Sequence, residues 1–217
     1  MIEALMPYER SQFMDKWNVS RETIQRLEIY QTLLEKWQPK INLVSSKTMQ
    51  DIWTRHFADS MQIKTFTPNI QTYADLGTGA GFPGLVTAIC LMNNTDKSIV
   101  HLFESNGKKC AFLREVIRET GCLAKVHDGR IEDNIKLILN EKVEVVTARA
   151  LASLNLLLFY TEELLKTGTR ALFLKGQEVV SEIEAASLNW IFSYTLHQSQ
   201  VDPSGSIIEI SSLRRRI

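Results

Sequence analysis

The sequence predicts an α/β fold: a doubly wound, mostly parallel seven-stranded sheet with an N-terminal helical cap and a C-terminal antiparallel hairpin. Three observations lead there. Residues 1–70 show only helical periodicity, residues 71–217 alternate short β-like runs with helical stretches, and a glycine-rich turn follows the first β run. At 217 residues, with five Pro and ten Gly, the chain suits one compact domain with an appended segment. Hydrophobic residues at 44% and charged residues at 23% disfavour collagen-like, disordered and coiled-coil classes.

In the cap, Ile24, Leu27, Ile29, Tyr30, Leu33, Leu34 and Trp37 recur at helical spacing behind Ser20, which suits an N-cap, and Pro39 is expected to close that helix. A second helical pattern spans 48–65 and ends before Pro68. It holds Arg55 and Asp59 as an i,i+4 ion pair, with His56 and Ser60 on the neighbouring stripe beside Trp53 and Phe57. From residue 71, strands are expected at 72–76, 99–103, 123–127, 143–147, 171–175, 190–196 and 207–211. Helices at 84–92, 107–120, 131–139, 154–166 and 176–187 fill the first five intervals, which implies right-handed crossovers and a parallel sheet. The last two strands are joined by Asp202-Pro203-Ser204-Gly205, too short for a crossover, so they form an antiparallel hairpin at or near the sheet edge.

Lys and Arg total 25 against 25 Asp and Glu, so no global field grips a polyanion and nucleic-acid contacts fall to local patches. The candidates are Lys108, Lys109, Arg114, Arg118 and Lys125, set against Glu115 and Glu119, and the run Arg214-Arg215-Arg216. Cys90, Cys110 and Cys122 lack metal-ligand spacing and read as buried thiols, and no metal site is expected. No apolar run spans a bilayer, and residues 1–8, with acidic Glu3, lack the pattern of a secretory leader, so a cytoplasmic protein is expected.

The strongest local signal is Tyr73-Ala74-Asp75-Leu76-Gly77-Thr78-Gly79-Ala80-Gly81-Phe82-Pro83-Gly84, a strand-to-helix turn where a ligand approaches the backbone. Gly79 to Gly84 satisfies G-x-G-x-x-G, which admits an NAD-binding oxidoreductase. Asp75 argues against it, because a carboxylate there repels a pyrophosphate and attracts a cation. Glu104, closing the second strand, can accept both ribose hydroxyls of a nucleoside. Together they describe a phosphate-free, positively charged nucleoside, S-adenosylmethionine. After the third strand, Ile131 can pack on its adenine while Glu132 meets the polar edge of the ring.

Beyond the fourth strand stands Val146-Thr147-Ala148-Arg149-Ala150. It contains neither an Asn/Asp-Pro-Pro-aromatic stretch for exocyclic amines nor a Pro-Cys nucleophile for pyrimidine carbons. Among the acceptors left is guanine N7, which has no proton to remove and needs alignment more than a base. Arg149 suits either the methionine carboxylate or the guanine O6/N7 edge. A methyltransferase acting on a small molecule or a protein would share the same cofactor half.

Taken together, Asp75 to Gly84, Asn42-Leu43, Arg55-His56 with Asp59-Ser60, Glu104-Ser105-Asn106 with Lys108-Lys109, Arg149-Ala150 and Leu174-Lys175-Gly176-Gln177 resemble the RsmG, or glucose-inhibited division protein B, family over about residues 25–180. The resemblance implies a Rossmann-like class I methyltransferase modifying guanine N7 of 16S ribosomal RNA. The expected substrate is presented within the 30S subunit or an assembly intermediate and the expected enzyme is a monomer, while the change of texture at residue 71 divides the chain into a cap, 1–70, and a cofactor domain, 71–217. The resemblance places Gly77, Phe82, Ile131, Glu132 and Arg149 on the cofactor, and Asn42, His56 and Lys175 toward the RNA or the transfer site. Gln38, where the family usually carries Asn, and Ala58 depart from its pattern.

Overall fold

The computed structural model describes residues 10–92 and 98–216, so residues 1–8, read above for a leader, lie outside it. Helices α1 (Arg10–Trp17), α2 (Arg21–Ile41), α3 (Ser46–Met49) and α4 (Asp59–Phe66), with a π-helical turn at Trp53–Ala58, form the cap. The sheet comprises β1 (Thr72–Leu76), β2 (Ile99–Glu104), β3 (Ala124–Asp128), β4 (Val145–Arg149), β5 (Arg170–Lys175), β6 (Trp190–Gln198) and β7 (Ser206–Arg215). Between them run α5 (Gly84–Leu91), α6 (Gly107–Thr120), α7 (Ile131–Asn134) with a 3-10 turn behind it, α8 (Leu154–Lys166) and α9 (Val179–Ser187).

Strand order is β3-β2-β1-β4-β5-β7-β6. The first five strands run parallel and β7 is antiparallel to both β5 and β6, so the expected hairpin forms the sheet edge. Strand alternation sorts the core into two layers. Tyr73, Val100, Leu102, Val145 and Leu172 pack against the cap with α5 and α6, whereas Ala74, Leu76, Phe103, Val146 and Phe173 pack against α7, α8 and α9. Cap and sheet thus share one continuous apolar layer. The order reverses between β1 and β4, which opens a crevice at the carboxyl ends of the strands.

Pro39 does not close α2, correcting the expectation above. The helix continues to Ile41 and ends at Asn42, whose left-handed conformation (φ 49°) lets its N–H reach the Gln38 carbonyl. Glu35 and Pro39 lie on the exposed side of the helix, where the hydrogen bond that Pro39 cannot donate is lost without burying a polar group. Gln38 secures the exit: its Oε1 accepts from Leu43 N (2.9 Å) and Val44 N (3.0 Å), and its Nε2 donates to the Val44 carbonyl. The three cysteines are buried and free. Among the described residues no helix is long and apolar enough to cross a membrane, and no group of three or more His, Cys, Asp or Glu could hold a metal.

Candidate functional site

Two cavities meet at the reversal point. The smaller, about 470 Å3, is lined by Gly77 to Ala80 and Phe82 after β1, Phe103 to Ser105 at the end of β2, Gly129 to Glu132 after β3, and Tyr160. The larger, about 830 Å3, lies between the cap, the segment after β4 and the turn joining β6 to β7. His56, Arg149, Ala150 and Leu151 line both and form the wall between them.

The smaller cavity is a product of backbone. Gly77 (φ 59°) and Gly79 (φ 61°) occupy the left-handed region, which carries the chain sharply from β1 across the strand ends. A Cβ on Gly77 would strike Leu151, while one on Gly79 would have only the Gly77 carbonyl oxygen within 4 Å, at 3.8 Å; Gly79 thus leaves room for a ligand against the loop. Glu104 ties this loop to the next: its Oε2 accepts from Gly79 N (3.0 Å) and its Oε1 from Asn106 N (2.8 Å). Each oxygen keeps a further lone pair for a ribose hydroxyl. Leu43 and Val44, set by Gln38, close the cavity from the cap side. A glycine cradle, a rim carboxylate and apolar Ile131 suit a nucleoside; Glu104 would hold the ribose, and Ile131 with Glu132 the adenine.

Asp75 does not face this cavity, and its expected role is corrected. It points from the cap-side face of β1 into the interior, fully buried, where Oδ2 accepts from Gly84 N (3.0 Å) and Oδ1 from the Thr147 hydroxyl (2.7 Å). Burial pushes its carboxyl up to about 6 against those hydrogen bonds. Asp75 therefore braces the glycine turn from beneath and neither attracts a cation nor repels a pyrophosphate through direct contact.

The wall is built from side chains. Phe82 stacks on Tyr30 (centroids 5.3 Å) and on His56 (4.7 Å), with the Arg149 guanidinium 5.0 Å from its ring. The Tyr30 hydroxyl donates to the Ala80 carbonyl, so the cap grips the loop directly. Arg149 donates to Asp59 Oδ2 (3.0 Å), the Arg55 carbonyl (3.2 Å) and His56 Nδ1 (2.9 Å). Asp59 thus pairs with Arg149 rather than Arg55, which reaches Asp202 instead (3.4 Å). Burial lifts Asp59 above the usual carboxylate range although Arg149 opposes it. Burial, then Arg149 and Arg55, depress His56 to about 3, so its imidazole is neutral. Arginine can only donate, so Nδ1 is the acceptor and the proton sits on Nε2.

Lys175 lines the far side of the larger cavity, its amine held by Glu182 (2.6 Å) and the Ala152 carbonyl (2.9 Å). Asn42 is exposed, caps α2 and borders neither cavity, so the structure does not bring it to the site. Sequence reasoning missed Asp59 as the partner of Arg149, Tyr160 beside Glu132, and the gripping role of Tyr30. The Asp59 contact spans ninety residues, and no local pattern announces it. Of the basic patches, Arg114 pairs with Asp128 and Arg118 with Glu119. Arg215 is engaged by Glu162 at the end of β7 away from the cavities.

Comparisons with known proteins identify the family of the chain. The GidB family, described as rRNA small subunit methyltransferase G, matches residues 23–206. The ribosomal RNA small subunit methyltransferase G of Methylobacterium sp. (strain 4-46) is 44% identical over 209 residues, 96% of this chain and 98% of that relative. The protein of the same name from Rhizobium meliloti (strain 1021) is 42% identical, covering 95% and 97%. Among solved structures, cofactor-bound Rv0187 from MTB superposes with a TM-score of 0.61 at 12% identity over 96% of this chain and 99% of that one. An O-methyltransferase from Bacillus cereus in complex with SAH gives 0.56 at 14% over 93% and 96%. These two likenesses establish the fold, a Rossmann-like doubly wound sheet, and the sequence matches establish the kinship: this chain belongs to the rRNA small subunit methyltransferase G family.

Proposed function

We propose that the protein transfers the methyl group of S-adenosylmethionine to N7 of a guanine in 16S ribosomal RNA, with residues 1–70 capping the acceptor and residues 71–217 binding the cofactor. The observation that carries this reading is the wall of His56, Arg149, Ala150 and Leu151 between a nucleoside-sized cavity and a larger one open to the cap.

When bound, S-adenosylmethionine supplies an electrophilic methyl on a positively charged sulfur. The chain's part is to hold and align. Glu104, Gly77 and Gly79 fix the nucleoside end, and Arg149 stands where it can meet the methionine carboxylate or the O6 side of the guanine. The guanine base, drawn from its stack, fills the larger cavity with N7 toward the wall. N7 carries no proton, and the wall offers no base: Arg149 is a permanent cation and His56 a neutral donor held by it. Rate enhancement on this reading comes from orientation and the exclusion of water.

At the mouth of the smaller cavity, Lys109 and Arg130, with neighbouring Lys108, have no carboxylate within ion-pair distance among the described residues and suit phosphate contacts. The enzyme acts as a monomer in the cytoplasm, on RNA within the 30S subunit or an assembly intermediate. Transfer of labelled methyl to naked 16S RNA and to 30S subunits, with the product located by cleavage at N7-methylguanine, tests this. Label at one N7 is expected; label on an exocyclic amine or a ribose, or none, overturns it.

A further inference from the structure

We infer that Gln62 is a positioning residue tying the aim of Arg149 to the β6–β7 turn that walls the larger cavity. Gln62 lies on α4 and is fully buried. A buried amide is costly unless its hydrogen-bonding groups are used, and here both ends are. Its Nε2 donates to Asp59 Oδ1 (2.9 Å) and the Asp59 carbonyl (3.2 Å). Its Oε1 accepts from Ser199 Oγ (3.1 Å) and Gln200 N (2.6 Å).

On one side, then, Gln62 sets the carboxylate whose other oxygen holds Arg149 at 3.0 Å. On the other, it sets a turn that is rigid in itself. Ser199 Oγ accepts from Val201 N (3.2 Å) and Asp202 N (3.0 Å), Ser199 N donates to the Gly205 carbonyl (3.1 Å), and Val201 is buried in the cap layer. Ser199, Val201, Asp202 and Gly205 line the larger cavity, and Arg149 lines both. An acceptor pressing on the turn therefore reaches Arg149 through two side chains, Gln62 and Asp59. Acceptor seating and Arg149 aim are coupled, with no contact between Gln62 and either substrate. The inference rests on the reading that the larger cavity seats the RNA base.

Two variants cut the link from opposite ends. Gln62→Glu keeps the shape but sets a second carboxylate against Asp59, and Ser199→Ala frees the turn. Methyl transfer is expected to fall about tenfold in kcat for Gln62→Glu and about threefold for Ser199→Ala, per folded molecule, with KM for the cofactor within twofold. The double variant should be no slower than Gln62→Glu alone, because both remove one connection. In the free protein, the 15Nε resonance of Arg149 should shift in both variants. Unchanged kcat, fully multiplicative losses or an unmoved Arg149 resonance overturns the inference. If the unaltered protein transfers no methyl to 16S RNA, the functional reading fails and the Arg149 resonance alone decides the coupling; if Gln62→Glu does not fold, Ser199→Ala on the same resonance decides it.

Discussion

The two cavities that meet at Arg149 are built by different means. The smaller is assembled around the loops that follow β1, β2, β3 and β4 in order, with the Glu104 carboxylate stitching two of those loops together through their backbone N–H groups. The larger draws on side chains from residue 45 to residue 207, joined by contacts such as Asp59 to Arg149 and Arg55 to Asp202. A pocket made by strand ends repeats wherever the fold repeats, so it holds the part of the reaction the fold shares. On the proposed reading, a pocket made by distant side chains is the one shaped for a single acceptor. Perturbing the first should weaken binding of the donor, and perturbing the second should degrade alignment.

Gly77→Ala is the sharpest break on the backbone side. Its Cβ would sit 2.3 Å from Leu151 Cδ1 in a left-handed conformation, combining strain and overpacking worth about 2–4 kcal/mol. Calorimetry should show S-adenosylhomocysteine affinity falling at least about thirtyfold. Retained affinity would mean that the loop gives way more easily than its packing implies.

An acid limb of stability should follow from the same half of the molecule. On the β2–β3 edge His101 Nδ1 and His127 Nε2 lie 3.0 Å apart, both rings buried, and Phe103 stacks on His127. Burial, then His101 and Lys125, lower His127 to about 4, and burial lowers His101. The unfolded chain titrates both near 6.5. Below that value it binds more protons than the native state, so stability is full above about pH 6.5 and declines as pH falls toward 4. The buried, raised Asp75 has the opposite sign, favouring the native state below its ordinary 3.8 and losing that contribution as pH rises through 6. Between pH 7.5 and 5 His127 alone should cost about 2 kcal/mol, partly offset by Asp75, read from denaturation midpoints. The double substitution His101→Leu with His127→Leu should flatten that slope; an unchanged slope would place the acid sensitivity elsewhere.

Glu104→Gln probes the carboxylate that ties two loops of the smaller cavity together. Its amide sets an N–H2 against Gly79 N–H or a ribose hydroxyl, where the carboxylate only accepts. S-adenosylhomocysteine affinity should drop about tenfold, with RNA affinity in a filter assay unchanged.

The same division explains what the sequence disclosed. All seven strands were legible from short β-like runs bounded by turn residues, and the helices at 107–120 and 154–166 match residue for residue, because those signals are local. The β4 strand begins two residues later than expected, since buried Val143 reads like strand without pairing. Glu104, Gly79, Ile131 and Glu132 line the smaller cavity as expected, because strand-end positions announce themselves. Asp75 was misread, though strand alternation held the missing signal: it shares a face with Tyr73 and, across the register, with Thr147, and that face turns toward the cap and α5. The π-helical turn at Trp53–Ala58, the Gln38 clasp and the Asp59–Arg149 pair were illegible, because each depends on packing between elements far apart in the chain.

His56 stands on the wall, so its behaviour shows which kind of construction governs the chemistry. A general base there would have to accept a proton near neutrality. Its Nδ1 lone pair is already committed to an arginine that can only donate, its Nε2 carries the proton, and protonation waits until about pH 3. Between pH 6 and 8 the rate with saturating RNA should therefore show no limb attributable to an imidazole. His56→Ala should cost about tenfold in kcat through lost stacking on Phe82 and a loosened Arg149, with S-adenosylhomocysteine affinity within threefold, a smaller loss than Gly77→Ala. Restoration by His56→Gln, which can offer an acceptor to Arg149 while having no titration near neutrality, would mark the residue as a holder of Arg149. A bell-shaped profile with a limb near 6.5 that vanishes in His56→Ala would reverse the assignment, and proton transfer would then govern where alignment is now expected to.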